Sequence, residues 1–323
     1  MISRAENTEL LSVKDLRKAF TVREKGGRKT LLRAVDGVSI SIDRGETLGI
    51  VGESGCGKTT LGRTILRLVE PDSGAIIYGG EDITDVKMRP YRSKMQIIFQ
   101  DPYGCLDPRS RVKDIVAEGL RVKRPEYGSA ERMNRVTELL ERVGLNPGAA
   151  WRYPHEFSGG QQQRIGIARA LAVEPEFIVC DEPVSALDVS YQSQIMNLLI
   201  EMQNNFGLTY LFISHDLSVV RHISDKVGVM YLGKIVEYGT GEEIVSRPAH
   251  QYTKALLDAI PATDPEAGRK RDRKLTEESA DNGIPERGCR YCGSCAYASS
   301  ACFDIEPELK EVSPGHMCAC HLV

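Results

Sequence analysis

At 323 residues, with 41% hydrophobic and 27% charged side chains, the chain has an ordinary globular composition and enough length for about two domains. A formal net charge of −3 supplies no overall positive field for nucleic acid, and no apolar run approaches the ~20 residues of a membrane helix. Met1 to Leu11 lacks the apolar core of a secretory signal, so a cytoplasmic protein is expected; six of the nine cysteines crowd between 289 and 323, which in a reducing compartment points to metal before disulfides.

From Leu10 to Ile42 the pattern predicts strands, with Val38, Ile40 and Ile42 alternating against Ser39, Ser41 and Asp43 around a charged, Gly-containing hairpin tip at 24–29. Phe20 stands just before that tip, where its ring could stack on a base, although an aromatic at a strand end is more often core. Thr47 to Val51 reads as a short buried strand, and Leu61, Ile65, Leu66 and Val69 recur at helical spacing. Between them, Gly52-Glu53-Ser54-Gly55-Cys56-Gly57-Lys58-Thr59-Thr60 fits the phosphate-loop pattern G-x-x-x-x-G-K-[ST]. Its glycines let the backbone approach phosphate oxygens, its amides and helix N-terminus present positive ends, and Lys58 adds a full charge. The Thr59 hydroxyl suits Mg²⁺.

Asp72-Ser73-Gly74 reads as a turn and Ala75 to Tyr78 as a strand. Met95 to Phe99 forms another, ending at Gln100, whose amide could reach a metal or an attacking water, or be merely solvated. Two prolines and a glycine predict a loop over 101–111, and 112–144 reads as a helical insertion closed by Gly144. Ser158 is positioned to cap a helix whose first residues, Gly159, Gly160 and Gln161, leave room for an anion. Phe177 to Cys180 is an apolar run, with Cys180 inside it, that leads into Asp181 and Glu182. These acids suit a Mg²⁺ contact and a water-activating base, or else a structural ion pair. Ser185-Ala186-Leu187-Asp188 leads into a helix with Ile195, Leu198, Leu199, Met202 and Phe206 on a core-facing side. His215 follows the strand Thr209 to Ser214, at the end where open α/β sheets gather ligand contacts.

Taken together and in this order, the phosphate loop, Gln100, Phe157-Ser158-Gly159-Gly160-Gln161, the acidic pair, Ser185 to Asp188 and His215 resemble an ABC ATPase cassette. The finer likeness is to F-type ATP-binding subunits of oligopeptide/dipeptide importers. It rests on Phe99-Gln100-Asp101-Pro102-Tyr103, Tyr153-Pro154-His155-Glu156-Phe157, 250–257 with Ile260-Pro261, and the tail ending Ala319-Cys320-His321. Phe157 stands where Leu is commoner, and Phe20 where an adenine-stacking Tyr is common. The resemblance implies an α/β, P-loop NTPase (RecA-like) core with an antiparallel β subdomain and a helical subdomain, plus a Cys-rich C-terminal extension. Its expected bounds are 1–245 for the ATPase domain, with the helical subdomain about 101–165, and 246–323 for the C-terminal region.

The same resemblance assigns roles. Phe20 and Gly52 to Thr60 would bind ATP, with Mg²⁺ held by Thr59, Gln100 and Asp181. Glu182 would activate water, and His215 would contact the γ-phosphate. Ser158 and Gly160 would serve the nucleotide of a facing subunit, and Gly159, Gln161 and Asp188 are expected among the nucleotide-binding residues. The implied partners are a second, D-type ATPase subunit in a heterodimer, two transmembrane permease subunits and an extracytoplasmic substrate-binding protein, with no nucleic acid. The chain would lie peripherally on the cytoplasmic face of the membrane.

In the tail, 261–288 reads as a charged linker and 289–323 as a thiol motif, Cys289-x-x-Cys292-x-x-Cys295-x₆-Cys302 followed by Cys318-Ala-Cys320. Spacing alone allows zinc or an iron–sulfur cluster. The resemblance favours a 4Fe-4S cluster on Cys289, Cys295, Cys302 and Cys320, with Cys292 and Cys318 as alternates.

Overall fold

The computed structural model describes residues 9–23, 27, 29–259 and 287–323; most of the expected hairpin tip and almost all of the expected linker lie outside the described residues. Strands β1 (Glu9–Arg23) and β2 (Lys29–Asp43) pair antiparallel, and β3 (Thr47–Val51), α1 (Lys58–Ile65), β4 (Ser73–Tyr78) and β5 (Glu81–Asp82) follow. One sheet runs β2-β1-β4-β5 and is antiparallel throughout. The turn expected at Asp72-Ser73-Gly74 is shorter than its composition suggested, because Ser73 already pairs with Arg17 and Gly74 enters the strand with φ +97°. A Cβ on Gly74 would meet the Asp15 carbonyl at 2.5 Å, so the glycine permits close strand approach here.

β6 (Met95–Ile98) is followed by four helices, α2 (Pro102–Cys105), α3 (Val112–Lys123), α4 (Ser129–Arg142) and α5 (Gly159–Leu171). The first of these lies where a loop was expected: Asp101 accepts a hydrogen bond from the Tyr103 amide, and Pro102 occupies a first-turn position where its missing N–H costs nothing. Pro125 lies in the break between α3 and α4. Then come β7 (Phe177–Asp181), α6 (Val189–Phe206), β8 (Thr209–Ser214), α7 (Leu217–Ile223), β9 (Lys226–Tyr231), β10 (Lys234–Thr240), α8 (Gly241–Ser246) and α9 (Gln251–Asp258). Phe206, expected on the buried face of α6, is instead 41% exposed and carries the Arg142 guanidinium 4.9 Å over its ring. Ile195, Leu198, Leu199 and Met202 are buried as expected.

The second sheet runs β11-β12-β10-β9-β3-β8-β7-β6, where β11 (Lys310–Ser313) and β12 (His316–Cys318) come from the tail. β6, β7, β8, β3 and β9 are mutually parallel, which is why their sequences read as unbroken apolar runs covered on both faces. One apolar core lies between this sheet and the α3–α5 helices with α6; another joins the two sheets around α1. Ile50, fully buried in the second core, offers a calibration: Ile50→Val should cost about 1 kcal/mol by denaturant titration. Because neighbouring strands run in parallel, the residues after β3, β6, β7 and β8 emerge at one edge.

Candidate ATP site

The phosphate loop leaves β3 and enters α1 through Gly57, which caps the helix at φ +111°. A Cβ there would stand 1.9 Å from the Ala34 carbonyl, so a side chain is excluded by both backbone angle and space. No acidic residue sits in the first turn of α1 to oppose an anion. Lys58 is buried, and its ammonium donates to the carbonyls of Gly52 at 2.7 Å and Glu53 at 2.8 Å, which curls the loop around a fixed positive charge. The loop borders a cleft of about 220 Å³ lined by Ser54, Gly55, Gly57, Lys58, Thr59 and Thr60 on one side and by Phe20, Leu32 and Ala34 on the other. Gln100 and Glu182 close it.

Phe20 is 38% exposed on β1 and lines the cleft beside the phosphate loop, with the Lys18 ammonium 5.6 Å over its ring centroid. Stacking of an aromatic on a base is worth ~1–3 kcal/mol. Phe20→Ala should therefore weaken ATP binding about tenfold in a fluorescence titration, the free-energy equivalent of about 1.4 kcal/mol, whereas Phe20→Tyr should retain it.

Asp181, Glu182, Gln100 and His215 meet at the carboxyl ends of adjacent strands. Thr59 donates its hydroxyl to Asp181 Oδ1 at 2.7 Å, while buried Asp181 Oδ2 receives no hydrogen bond from the described residues. Arg63 stands 3.8 Å from that oxygen. Burial, reinforced by the charge of Glu182, raises the Asp181 pKa despite the Thr59 bond and Arg63. A desolvated carboxylate with an unused oxygen beside a threonine hydroxyl is the donor set that Mg²⁺ fits. Glu182 takes φ +46°, a conformation uncommon outside glycine, and its N–H donates to the Ile213 carbonyl at 3.0 Å. Gln100 donates to Glu182 Oε2 at 3.0 Å, His215 Nδ1 lies 3.3 Å from the same oxygen, and Lys58 stands 3.9 Å from Oε1.

The helix α5 starts away from this cleft. Ser158 caps the helix as expected, Gln161 returns the bond to the Ser158 amide, and Gln163 reaches back to the Phe99 carbonyl at 3.3 Å, tying the helix to the Gln100 strand. Gly160 lies under Tyr191, whose ring a Cβ would strike at 2.7 Å. Asp188 caps α6 from the adjoining loop without a side-chain cap bond. Neither Ser158 to Gln161 nor Asp188 lines the phosphate cleft, so the chain brings together Phe20, the phosphate loop, Gln100, Asp181, Glu182 and His215, and holds its second glycine-rich motif apart.

Residues 35–185 match the family described as ABC transporter, and residues 236–302 match that described as oligopeptide/dipeptide transporter, C-terminal region. The chain is 50% identical over 325 residues to the oligopeptide transport ATP-binding protein AppF of Bacillus subtilis, with 98% of each chain covered. The chain belongs to the ABC transporter family. The oligopeptide transport ATP-binding protein OppF of Bacillus subtilis is likewise 50% identical over 317 residues, covering 97% of this chain and 96% of that one. Among solved structures, cbiO1 of Clostridium perfringens, part of an ABC transporter complex, aligns at TM-score 0.64 and 30% identity over 75% of this chain and 92% of its own. The dimeric cassette MJ0796 bound to ADP and Pi aligns at TM-score 0.64 and 28% identity over 72% of this chain and 98% of its own. No helix among the described residues of this ABC ATPase is long and apolar enough to cross a membrane.

Beyond the cassette, Cys289, Cys292, Cys295, Cys302 and Cys320 line one pocket together with His250, Tyr291 and His321. Cys318, expected as an alternate ligand, does not line it: β12 takes that residue into the sheet opposite Glu237, where it is fully buried. Burial raises the Cys289 thiol to about 11 and moves Cys292 and Cys295 in the same direction. His250 Nδ1 accepts from the Tyr252 amide at 3.1 Å, which leaves the proton on Nε2, and that buried atom has no partner among the described residues. Among the described residues, no three His, Cys, Asp or Glu side chains are placed to hold a single metal ion, so the expectation of zinc or a cluster finds no ion site here.

Sequence reasoning missed Leu32 and Ala34 in the cleft, because nothing in β2 distinguishes cleft-facing from solvent-facing positions. It also missed Tyr252, whose hydroxyl accepts from the Glu53 amide at 3.0 Å.

Proposed function

We propose that this chain is the ATP-hydrolysing subunit that energises a membrane importer of oligopeptides or dipeptides. The observation that carries the reading is the convergence of Gln100, His215 and Lys58 on Glu182 above a phosphate loop whose threonine is bonded to Asp181. Near-complete, 50% identity to oligopeptide transport ATP-binding proteins supports the peptide cargo. Residues 1–245 would form the ATPase domain and 246–323 the importer-type C-terminal region, on the cytoplasmic face of the membrane.

In this reading the adenine stacks on Phe20 and the phosphates lie along Gly52 to Thr60, with Lys58 turning from the loop carbonyls toward them. Thr59, Gln100 and Asp181 would hold Mg²⁺, which when bound would neutralise phosphate charge. Glu182 accepts a proton from a water as its oxygen bonds to the γ-phosphorus and the bond to the bridging oxygen breaks, giving ADP and phosphate. His215 donates to the γ-phosphate. The separation of Ser158 to Gln161 and Asp188 from the cleft supports their use on a facing subunit's nucleotide, in a heterodimer with a D-type ATPase. Closure would then hold two ATP between two chains, and loss of the γ-phosphate contacts shifts the pair toward the open state, which drives two transmembrane permease subunits served by a substrate-binding protein. Reconstitution with those subunits in proteoliposomes tests the reading: peptide uptake should require ATP inside and vanish with Lys58→Ala, and ATP-independent uptake would refute it.

Five thiols around one pocket are enough donors for either metal, and the family resemblance favours a 4Fe-4S cluster held by Cys289, Cys295, Cys302 and Cys320 with Cys292 as the alternate. Anaerobically purified protein should be brown with iron and sulfide in equal amounts; stoichiometric zinc without iron would reverse the assignment.

A further inference from the structure

The thiol motif and the phosphate loop are separated by more than two hundred residues of chain, yet two short paths of contacts join them. Between Cys289 and Cys292 stand Arg290 and Tyr291. The Tyr291 ring lines the thiol pocket and packs on Tyr252 at 5.5 Å and Tyr231 at 5.3 Å between centroids, and Tyr231 and Tyr252 pack on each other at 4.4 Å. Tyr252 is 1% exposed, and its hydroxyl accepts the Glu53 N–H in the phosphate loop. Arg290 donates to the Leu232 carbonyl and to Asp36, while Gly233 donates its N–H to the Cys56 carbonyl at 2.8 Å and accepts from the Asp36 amide at 2.9 Å. Both residues enclosed by the first two cysteines therefore end on atoms that shape the loop between Glu53 and Cys56.

We propose that Tyr252 is a positioning residue for the phosphate loop, and that through Tyr291 it makes nucleotide affinity depend on the packing of the thiol motif. The Glu53 amide is one of the loop groups whose direction decides how the backbone curls over Lys58, whose ammonium the Glu53 carbonyl also holds at 2.8 Å. A tyrosine wedged between two other rings gives that amide an acceptor of fixed position, which a solvent molecule would not. A displaced Tyr291 frees the Tyr252 ring to move, and the loop loses the acceptor.

The inference rests on the reading of the cleft as an ATP site, and titration of the unaltered full-length chain with a fluorescent ATP analogue checks that reading separately: absence of binding removes the proposed function itself. Given binding, Tyr252→Phe keeps the ring and deletes the acceptor. It should weaken the analogue about fivefold, as expected for one hydrogen bond, with the KM for ATP rising more than kcat falls. Tyr291→Leu should weaken it too, and the double variant should lose less than the sum of the two, because both act through one contact path. Thermal unfolding followed in parallel separates this from general loosening: the Tyr252→Phe midpoint should fall by no more than about 2 °C, the scale of a single lost hydrogen bond in a chain of this length, and a much larger fall would mean loosening of the fold and overturn the positioning role. Unchanged affinity in Tyr252→Phe overturns the proposal, and strictly additive effects of the two substitutions overturn its link to the thiol motif.

Discussion

Replacing Glu182 by Gln should lower steady-state ATP turnover about a thousandfold while leaving ATP binding intact, within the hundred- to ten-thousandfold range that a positioned general base supplies. The geometry makes the substitution informative. Glutamine keeps the shape of the side chain, and the backbone is held independently by the bond from its N–H to Ile213. Gln100, a donor to Oε2, is still satisfied if the new amide presents its oxygen in that direction, so the cleft should retain its form. What disappears is the ability to take a proton. Binding of a fluorescent ATP analogue and single-turnover hydrolysis, measured on the same preparation, separate the two effects. Turnover within a few-fold of the parent would show that another group serves as base and would dismantle the proposed mechanism.

Asp36→Asn should cost about 3 kcal/mol in stability, seen as a lower denaturant midpoint at constant slope. Asp36 sits on β2 with its side chain 7% exposed, ion-paired to Arg290 and Arg17, and with Arg33 and Lys234 each at 3.8 Å. Arg290 is itself only 8% exposed, and removing the negative charge leaves that guanidinium buried among other cations. Arg17, which is 45% exposed, can turn to water, so the penalty is assigned to Arg290. A shift below about 0.5 kcal/mol would mean that the tail is anchored by its strands and not by this pair.

Much of the catalytic edge was legible because it depends on short-range pattern. Apolar strands ending in Gly52, Gln100, Asp181 and His215 can be read one at a time, and parallel pairing then assembles their ends. The structure went beyond pattern where long-range partners decide. Phe206 has the right spacing for the core of α6, yet it lies at the helix end against Arg142. Asp101 and Pro102 carry the residue types of a loop, but in that order they also start a helix, and the short α2 takes this option. Tyr252 read as a family tag, since nothing local to 250–257 indicates that its hydroxyl meets a loop two hundred residues earlier. The thiols at 292 and 318 looked equivalent by spacing; pairing of Cys318 with Glu237 on β10 separates them. The strand that carries Cys318, β12, was invisible in the sequence, because three residues carry too little alternation to register.

The pairing of β12 with β10 also orders events during synthesis. β10 is flanked by β9 on one side and by β12 on the other, so until residues 316–318 leave the ribosome its outer edge carries unpaired amides and carbonyls. The nascent cassette thus spends the translation of some seventy-five further residues with an open template for pairing with other chains. Arrival of the hairpin replaces that edge by β11, four residues long and bearing exposed Lys310 and Glu311, which is a poor template. Truncation before residue 316 should accordingly be felt first as aggregation of newly made protein.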